Sequence, residues 1–256
     1  MNRLHPAFAT IPMAHRGLHD IASGRPENSL AAARAAMDAG YGIEIDVQLS
    51  ADGVAMVFHD YQLDRLTGAN GFVRQKNAHE LGKLKLRGGT EPIPTLVELF
   101  DMVRGRCPVL VEIKDQDGAM GEKVGPLKKA LAPALNRCDG PVAVMSFNPH
   151  AVLAMSKFAP QVARGLTTCH FSQEDWQHIP KQRREYLRAI PDYEQTGATF
   201  ISHEITDLGN PRIPELKAKG AIVNCWTVGS KEIETKAREV ADNITFEGYL
   251  PTIPAT

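Results

Sequence analysis

Six side chains capable of acid–base or metal chemistry fall in four short segments of this 256-residue chain: His15, Glu44, Asp46, His59, Glu112 and Lys114. Glu44 and Asp46 are two apart, as are Glu112 and Lys114, the spacing that puts both side chains on one face of a strand. Glu44, Asp46 and Glu112 offer hard oxygen ligands suited to Mg²⁺ or Ca²⁺, and Mn²⁺ accepts the same donors. Three such charges converging on one point repel strongly unless a cation lies between them. His15 and His59 are proton carriers near neutral pH. Arg16 and Lys114 are suited to holding phosphoryl oxygens and offsetting charge in a transition state. A cation, two imidazoles and two basic side chains describe phosphate-ester cleavage better than sugar isomerisation or aldol chemistry. Each piece alone has a plainer explanation. A strand-end histidine is often just packed or exposed, and Glu112 and Lys114 could form a structural ion pair.

To act together these residues must be delivered to one rim. Short β-branched or apolar runs at Ile11–Ala14, Ile43–Val47, Val109–Ile113, Val142–Ser146, Val162–Leu166, Thr199–Ser202, Ile222–Val228 and Asn243–Phe246 read as strands. Amphipathic or Ala-rich stretches lie between them, at Ser29–Ala39, Thr95–Val103, Glu122–Asn136, Pro149–Lys157, Ile213–Lys219 and Lys231–Val240. Alternating strands and helices in this number and length predict a TIM (β/α)₈ barrel, with a doubly wound sheet as the alternative. In a barrel the C-terminal strand ends carry the active site. His15-Arg16-Gly17, Glu44 with Asp46, and Glu112 with Lys114 all fall at such ends.

One run, Val54–Phe58, breaks the alternation. Only Gln48–Gly53 separates it from the preceding strand, too short for a parallel crossover, so it reads as the return arm of a hairpin turning at Asp52-Gly53. The polar stretch from Tyr61 to Pro94 follows. Residues 1–256 therefore read as a single barrel domain, with 60–94 inserted between the second strand and its helix.

Bulk composition narrows the partners. A net charge of -1 supplies no basic stripe for nucleic acid. No apolar run reaches the roughly 20 residues of a membrane helix, and residues 1–14 lack the pattern of an export signal. Cys107, Cys138, Cys169 and Cys225 are scattered without a C-x-x-C pair, as expected of reduced thiols. The expectation is a cytoplasmic protein without membrane insertion, its oligomeric state open.

The ordered set His15-Arg16-Gly17, Pro26-Glu27-Asn28-Ser29, Glu44-Ile45-Asp46-Val47, Asp52-Gly53 and His59-Asp60 resembles the glycerophosphodiester phosphodiesterases. The resemblance continues through Ile93-Pro94-Thr95-Leu96, Glu112-Ile113-Lys114, Ser146-Phe147 and Trp226-Thr227-Val228, from about residue 12 to 230. It implies a small-molecule glycerophosphodiester substrate, split into glycerol 3-phosphate and an alcohol. By carry-over, Glu44, Asp46 and Glu112 are the ligands of one divalent cation, and His15 and His59 the acid–base pair. Arg16 and Lys114 would bind phosphate, Glu27 and Asn28 shape the first loop, and Phe147 and Trp226 contact the glycerol or the alcohol. The nucleophile is either the substrate's own 2-hydroxyl, giving a cyclic phosphate, or water. His59 is expected to protonate the leaving alkoxide and His15 to act as base.

Several features depart from the family pattern. An Ile-Thr-Asp-x-Pro type of ending is replaced by Ile244-Thr245-Phe246-Glu247-Gly248, and Gly229 stands where asparagine is usual. The segment from His170 to Thr196 is longer and more basic, with Lys181, Arg183, Arg184 and Arg188. That run reads as a solvated helix face, or else as a substrate or subunit contact. Rival readings are a Schiff-base lyase using Lys114, a phosphate-ester binding barrel without turnover, and a phospholipase D-like enzyme acting on lysophospholipids.

Overall fold

Strands and helices alternate through residues 3–254, the part of the chain that the computed structural model describes. The strands are β1 (Met13–Ala14), β2 (Gly42–Leu49), β3 (Ala55–Val57), β4 (Val109–Ile113), β5 (Val142–Ser146), β6 (Ala163–Thr168), β7 (Phe200–Glu204), β8 (Ile222–Val228) and β9 (Asn243–Phe246). All pair in parallel except β3, and β1 bonds both β9 and β2, so eight parallel strands close into the expected TIM barrel. β1 covers one edge of β2 only at Gly42 and Ile43; β3 runs antiparallel along Val47–Leu49.

Side-chain alternation sorts the strands into two layers. Ile43, Ile45, Val47, Val109, Val111, Ile113, Val144 and Val223 join the helices in the main hydrophobic core. The intervening residues of β4 and β5 face the other way, and Leu110, Ala143 and Met145 fill the barrel interior with Met13, Ala163 and Phe200. Gly165 makes room for this plug, since a Cβ there would stand 2.5 Å from the Phe200 ring. Leu4 and Phe8 belong to the same cluster, so the helix Ala7–Thr10 stops the N-terminal end of the barrel. Register then decides where polarity begins. Glu44 is opposite Leu110 and Asp46 opposite Glu112, so the carboxylates sit at and just above the level of the apolar plug.

Local signals set the helix starts. Ser29 Oγ accepts from Ala32 N–H at 3.0 Å to begin the helix Leu30–Asp38. Thr95 and Glu98 cap the helix Leu96–Val103 reciprocally. The stretch expected as a helix from Glu122 begins only at Leu127, because Pro126 takes the N-cap and the chain before it is a loop. The strand expected from Ile11 is pared to Met13–Ala14, since Ile11 serves as the C-cap of the short helix that plugs the barrel and Pro12 links the two.

Between β3 and the helix at Leu96, residues 61–94 fold around their own cluster, where Leu63, Leu66, Val73, Leu81, Leu86 and Ile93 pack on Met56 and Phe58. Two short helices, Asp64–Thr67 and Ala78–Leu81, lie within it. The basic segment contains a helix, Lys181–Arg188. Among the described residues no helix is long and apolar enough to cross a membrane.

Candidate active site

β2 carries Glu44 and Asp46, and β4 carries Glu112, all three buried side by side in the barrel mouth. One carboxylate oxygen from each lies within 4.8 Å of the others. Two basic groups stand against them. Lys114 Nζ donates to Glu112 Oε1 at 2.8 Å and to Asp46 Oδ1 at 3.3 Å. Arg16 brings its guanidinium Nε within 3.4 Å of Asp46 Oδ2, and its backbone N–H donates to Glu44 Oε2 at 3.0 Å.

Charge is unevenly compensated here. Burial, then Asp46 and Glu112, push the Glu44 carboxyl well above the ordinary carboxylate range. Asp46 is held well below it: burial opposes its charge, but Lys114, His59, Arg16 and the Asn28 hydrogen bond outweigh that. Burial works against the Lys114 ammonium too, yet Glu112 and Asp46 raise it above its usual value.

The loop after β1 is shaped to reach these groups. Arg16 and Asn28 both have left-handed backbones, φ 54° and 57°. Gly17 (φ 80°) lies so close to the helix Leu30–Asp38 that a Cβ would meet the Ala32 backbone at 2.8 Å. Asn28 donates to Asp46 Oδ2 at 2.9 Å and accepts from its backbone N–H at 3.2 Å. Glu27 accepts from Arg16 at 2.7 Å and, through both oxygens, from Arg65.

The two histidines are each held by a carboxylate. His59 Nδ1 is 2.7 Å from Asp60 Oδ1, and Arg65 donates to both Asp60 oxygens, at 2.6 and 2.8 Å. His15 Nδ1 is 2.7 Å from Glu247 Oε2, with His19 Nε2 at 3.6 Å from the same oxygen. Hydrogen bonds from His15 and His19 hold the Glu247 carboxyl well below its usual range. His15, Arg16, Glu44, Asp46, His59, Glu112 and Lys114 together line a recess of about 60 Å³. The structure therefore brings seven of the nine polar residues singled out in the sequence into one recess, with Glu27 and Asn28 bonded to Arg16 and Asp46 at its edge.

Outside this recess opens a cleft of about 910 Å³ that shares His59, Glu112, Lys114, Phe147 and Trp226 with it. Phe147 and Trp226 meet edge to face, with ring centroids 5.6 Å apart. Trp226 is half-buried, its indole N–H donating to Ser202 O at 3.0 Å while its ring lines the cleft. Two further aromatics complete this wall, Trp176 at 5.0 Å and Phe171 at 6.1 Å from Phe147. The basic helix supports it from behind. Arg184 donates to the backbone oxygens of Trp176 and Ile179, and Arg183 to that of Met120. Tyr61 and Phe72 face the wall from the 61–94 segment.

Glu247, Arg65, Trp176 and Phe171 were not singled out by sequence reasoning. Glu247 had a signal, since it falls where the chain leaves the expected Ile-Thr-Asp-x-Pro pattern. The other three are placed by tertiary contacts with no local spacing to betray them.

The chain matches the model of the glycerophosphoryl diester phosphodiesterase family over residues 15–243. It is 35% identical over 238 residues to a glycerophosphodiester phosphodiesterase of Caldanaerobacter subterraneus, covering 87% of each chain. An Oleispira antarctica phosphodiesterase, solved with the product sn-glycerol-3-phosphate, is similar in structure, with a TM-score of 0.73, 25% identity and 93% of each chain covered. A Parabacteroides distasonis glycerophosphodiester phosphodiesterase shares the fold at a TM-score of 0.72 and 22% identity, over 93% of this chain and 92% of that one.

Proposed function

The chain belongs to the glycerophosphoryl diester phosphodiesterase family, and on that premise we propose that it hydrolyses glycerophosphodiesters to glycerol 3-phosphate and an alcohol, using one divalent cation and two histidines. The observation that carries the metal requirement is the buried triad. Glu44, Asp46 and Glu112 converge with Lys114 and Arg16 as the paired basic side chains beside them, and Arg16 is shared with Glu27. Burial first, and then the neighbouring charges of Asp46 and Glu112, push Glu44 toward its protonated form. The donor set, all carboxylate oxygen, fits Mg²⁺ or Ca²⁺, with Mn²⁺ also accommodated. Bound there, the cation would neutralise the triad and stabilise negative charge on the phosphoryl group.

The protein's own groups would do the rest. Arg16 and Lys114 hold the phosphoryl oxygens while keeping their carboxylate partners. His15 removes the proton from the attacking hydroxyl, either the substrate's 2-hydroxyl or water, and His59 donates one to the departing alkoxide. Glu27 and Asn28 fix the first loop beneath these groups. Phe147 and Trp226 contact the organic part of the substrate. We read the chain as one catalytic domain with 60–94 inserted in it, working in the cytoplasm; all four cysteines are free thiols, the state a reducing compartment maintains.

A second reading is favoured by the size of the cleft. Some 910 Å³ walled by Phe147, Phe171, Trp176 and Trp226 exceeds what a glycerol headgroup fills, and an acyl chain would suit it. This is phospholipase D-like cleavage of a lysophospholipid at the same centre. Turnover of glycerophosphocholine against lysophosphatidylcholine, each with Mg²⁺ or Ca²⁺ restored after EDTA, tests both. Preference for the water-soluble diester supports the first reading, preference for the acylated one the second. Turnover of neither, with both bound, would leave a binding barrel.

A further inference from the structure

Both histidines of the site are gripped through Nδ1 by a carboxylate oxygen at 2.7 Å, yet the two carboxylates are not equivalent. Asp60 is paired with Arg65, which donates to both of its oxygens and is shared with Glu27. Among the described residues Glu247 has no guanidinium or ammonium partner; the charged-group neighbours found there are the imidazoles of His15 and His19. It directly follows β9, and its backbone N–H donates to Val228 O at 3.0 Å, which fixes where the side chain begins. His15 is tied to the same strand end, its N–H donating to Phe246 O at 2.9 Å. Glu247 stays outside the recess that His15 lines, so the carboxylate grips the ring from behind.

We propose that Glu247 is a positioning residue that makes His15 the base of the reaction, an inference that rests on the reading of the site given above. An ionised carboxylate accepts only, so Nδ1 must carry the ring proton and Nε2 is left with the lone pair that takes a proton. The same negative charge then stabilises the imidazolium formed when His15 does so. At His59 that stabilisation is offset by the Arg65 guanidinium, which suits a histidine that must give its proton away. The charge environment of two otherwise similar dyads thus sorts base from acid. His19 Nε2 stands 3.6 Å from the same Glu247 oxygen, adding a second imidazole beside it.

The test compares Glu247→Gln with Glu247→Ala, using His15→Ala as the reference for losing the base. Glutamine nearly matches the shape of glutamate but presents an NH₂ to Nδ1, favouring the wrong tautomer. Glu247→Ala is expected to lose ~10-fold or more in kcat for glycerol 3-phosphate release with KM little changed, and Glu247→Gln at least as much. A packing role would make glutamine the milder change, so near wild-type kcat in Glu247→Gln overturns the proposal. A second readout needs no turnover: ¹⁵N NMR of the wild-type protein, at a pH where the ring is neutral, should show His15 with the proton on Nδ1. A proton on Nε2 overturns the proposal even where the variants fail to fold. Wild-type protein inactive on every diester, with His15 still an Nδ1–H tautomer that Glu247→Gln abolishes, would sink the functional reading while leaving Glu247's hold on His15 intact.

Discussion

Asn28 and Asp46 are joined by a reciprocal pair of hydrogen bonds, side-chain amide to carboxylate at 2.9 Å and backbone N–H to side-chain oxygen at 3.2 Å. The pair ties the loop after β1 to the strand that carries two of the three converging carboxylates. Both partners are buried, so neither bond is replaced by water when it is lost. Asn28→Ala should lower stability by about 2–3 kcal/mol, the worth of a bond to a buried charge plus the left-handed backbone that asparagine tolerates better. In thermal unfolding without metal, that is a fall in Tm of roughly 4–10 °C for a chain of this size. An unchanged Tm would mean the loop is held elsewhere.

His59→Ala should leave divalent-ion affinity intact, because His59 is not among the three clustered carboxylates, while turnover falls by about 10²–10⁴. Calorimetric Mg²⁺ binding and glycerol 3-phosphate release, measured on the same preparation, check both halves. Weakened metal binding would place the ring among the ligands, and undiminished kcat would remove it from the chemistry.

Most of the barrel was legible because its strands are buried on both faces and bounded by loops. Val109–Ile113, Val142–Ser146, Ile222–Val228 and Asn243–Phe246 have the same bounds in sequence and structure. Element ends were less so, as at Ile11, which caps the plugging helix Ala7–Thr10 instead of opening the strand. The recess was legible because its residues sit at strand ends with period-two spacing. Arg65 and Trp176 were not, since each acts across the fold: Arg65 joins Glu27 to Asp60, and Trp176 reaches Phe147 from a loop. The basic run at 181–188 is a helix whose Lys181 and Arg188 are exposed while Arg183 and Arg184 are half-buried. Arg183 and Arg184 donate to backbone carbonyls beneath the aromatic wall, contacts that no local spacing reveals.

Asp60 gives a pH signature. Burial opposes its charge, but hydrogen bonds from His59 and Arg65 win and hold its pKa well below the usual range. A depressed carboxylate contributes stability above its unfolded pKa of about 3.9 and loses it as pH falls through the folded value. The Tm of the wild type should therefore exceed that of Asp60→Asn near pH 7, with the gap closing only below about pH 4. A gap that is constant across this range would show that the charge of Asp60 plays no part.

Trp176→Ala should act on the organic part of the substrate and leave the phosphate end alone. Losing its packing on Phe147 and Phe171, worth about 0.5–1.5 kcal/mol per aromatic pair, should raise KM roughly two- to tenfold for diesters with bulky apolar groups. KM for glycerophosphoglycerol should change little. A uniform rise for all diesters, or a loss confined to kcat, would contradict the placement of the substrate's apolar part against this wall.

Three buried carboxylates converging at the barrel mouth underlie the proposal of a cation-dependent glycerophosphodiester hydrolase. Its most direct test is glycerol 3-phosphate release from a panel of glycerophosphodiesters, in EDTA and then with Mg²⁺, Ca²⁺ or Mn²⁺ restored. The account predicts no release in EDTA, recovery with at least one ion, and no recovery in Asp46→Asn. Release that persists in EDTA, or an Asp46→Asn variant that recovers as the wild type does, would contradict it.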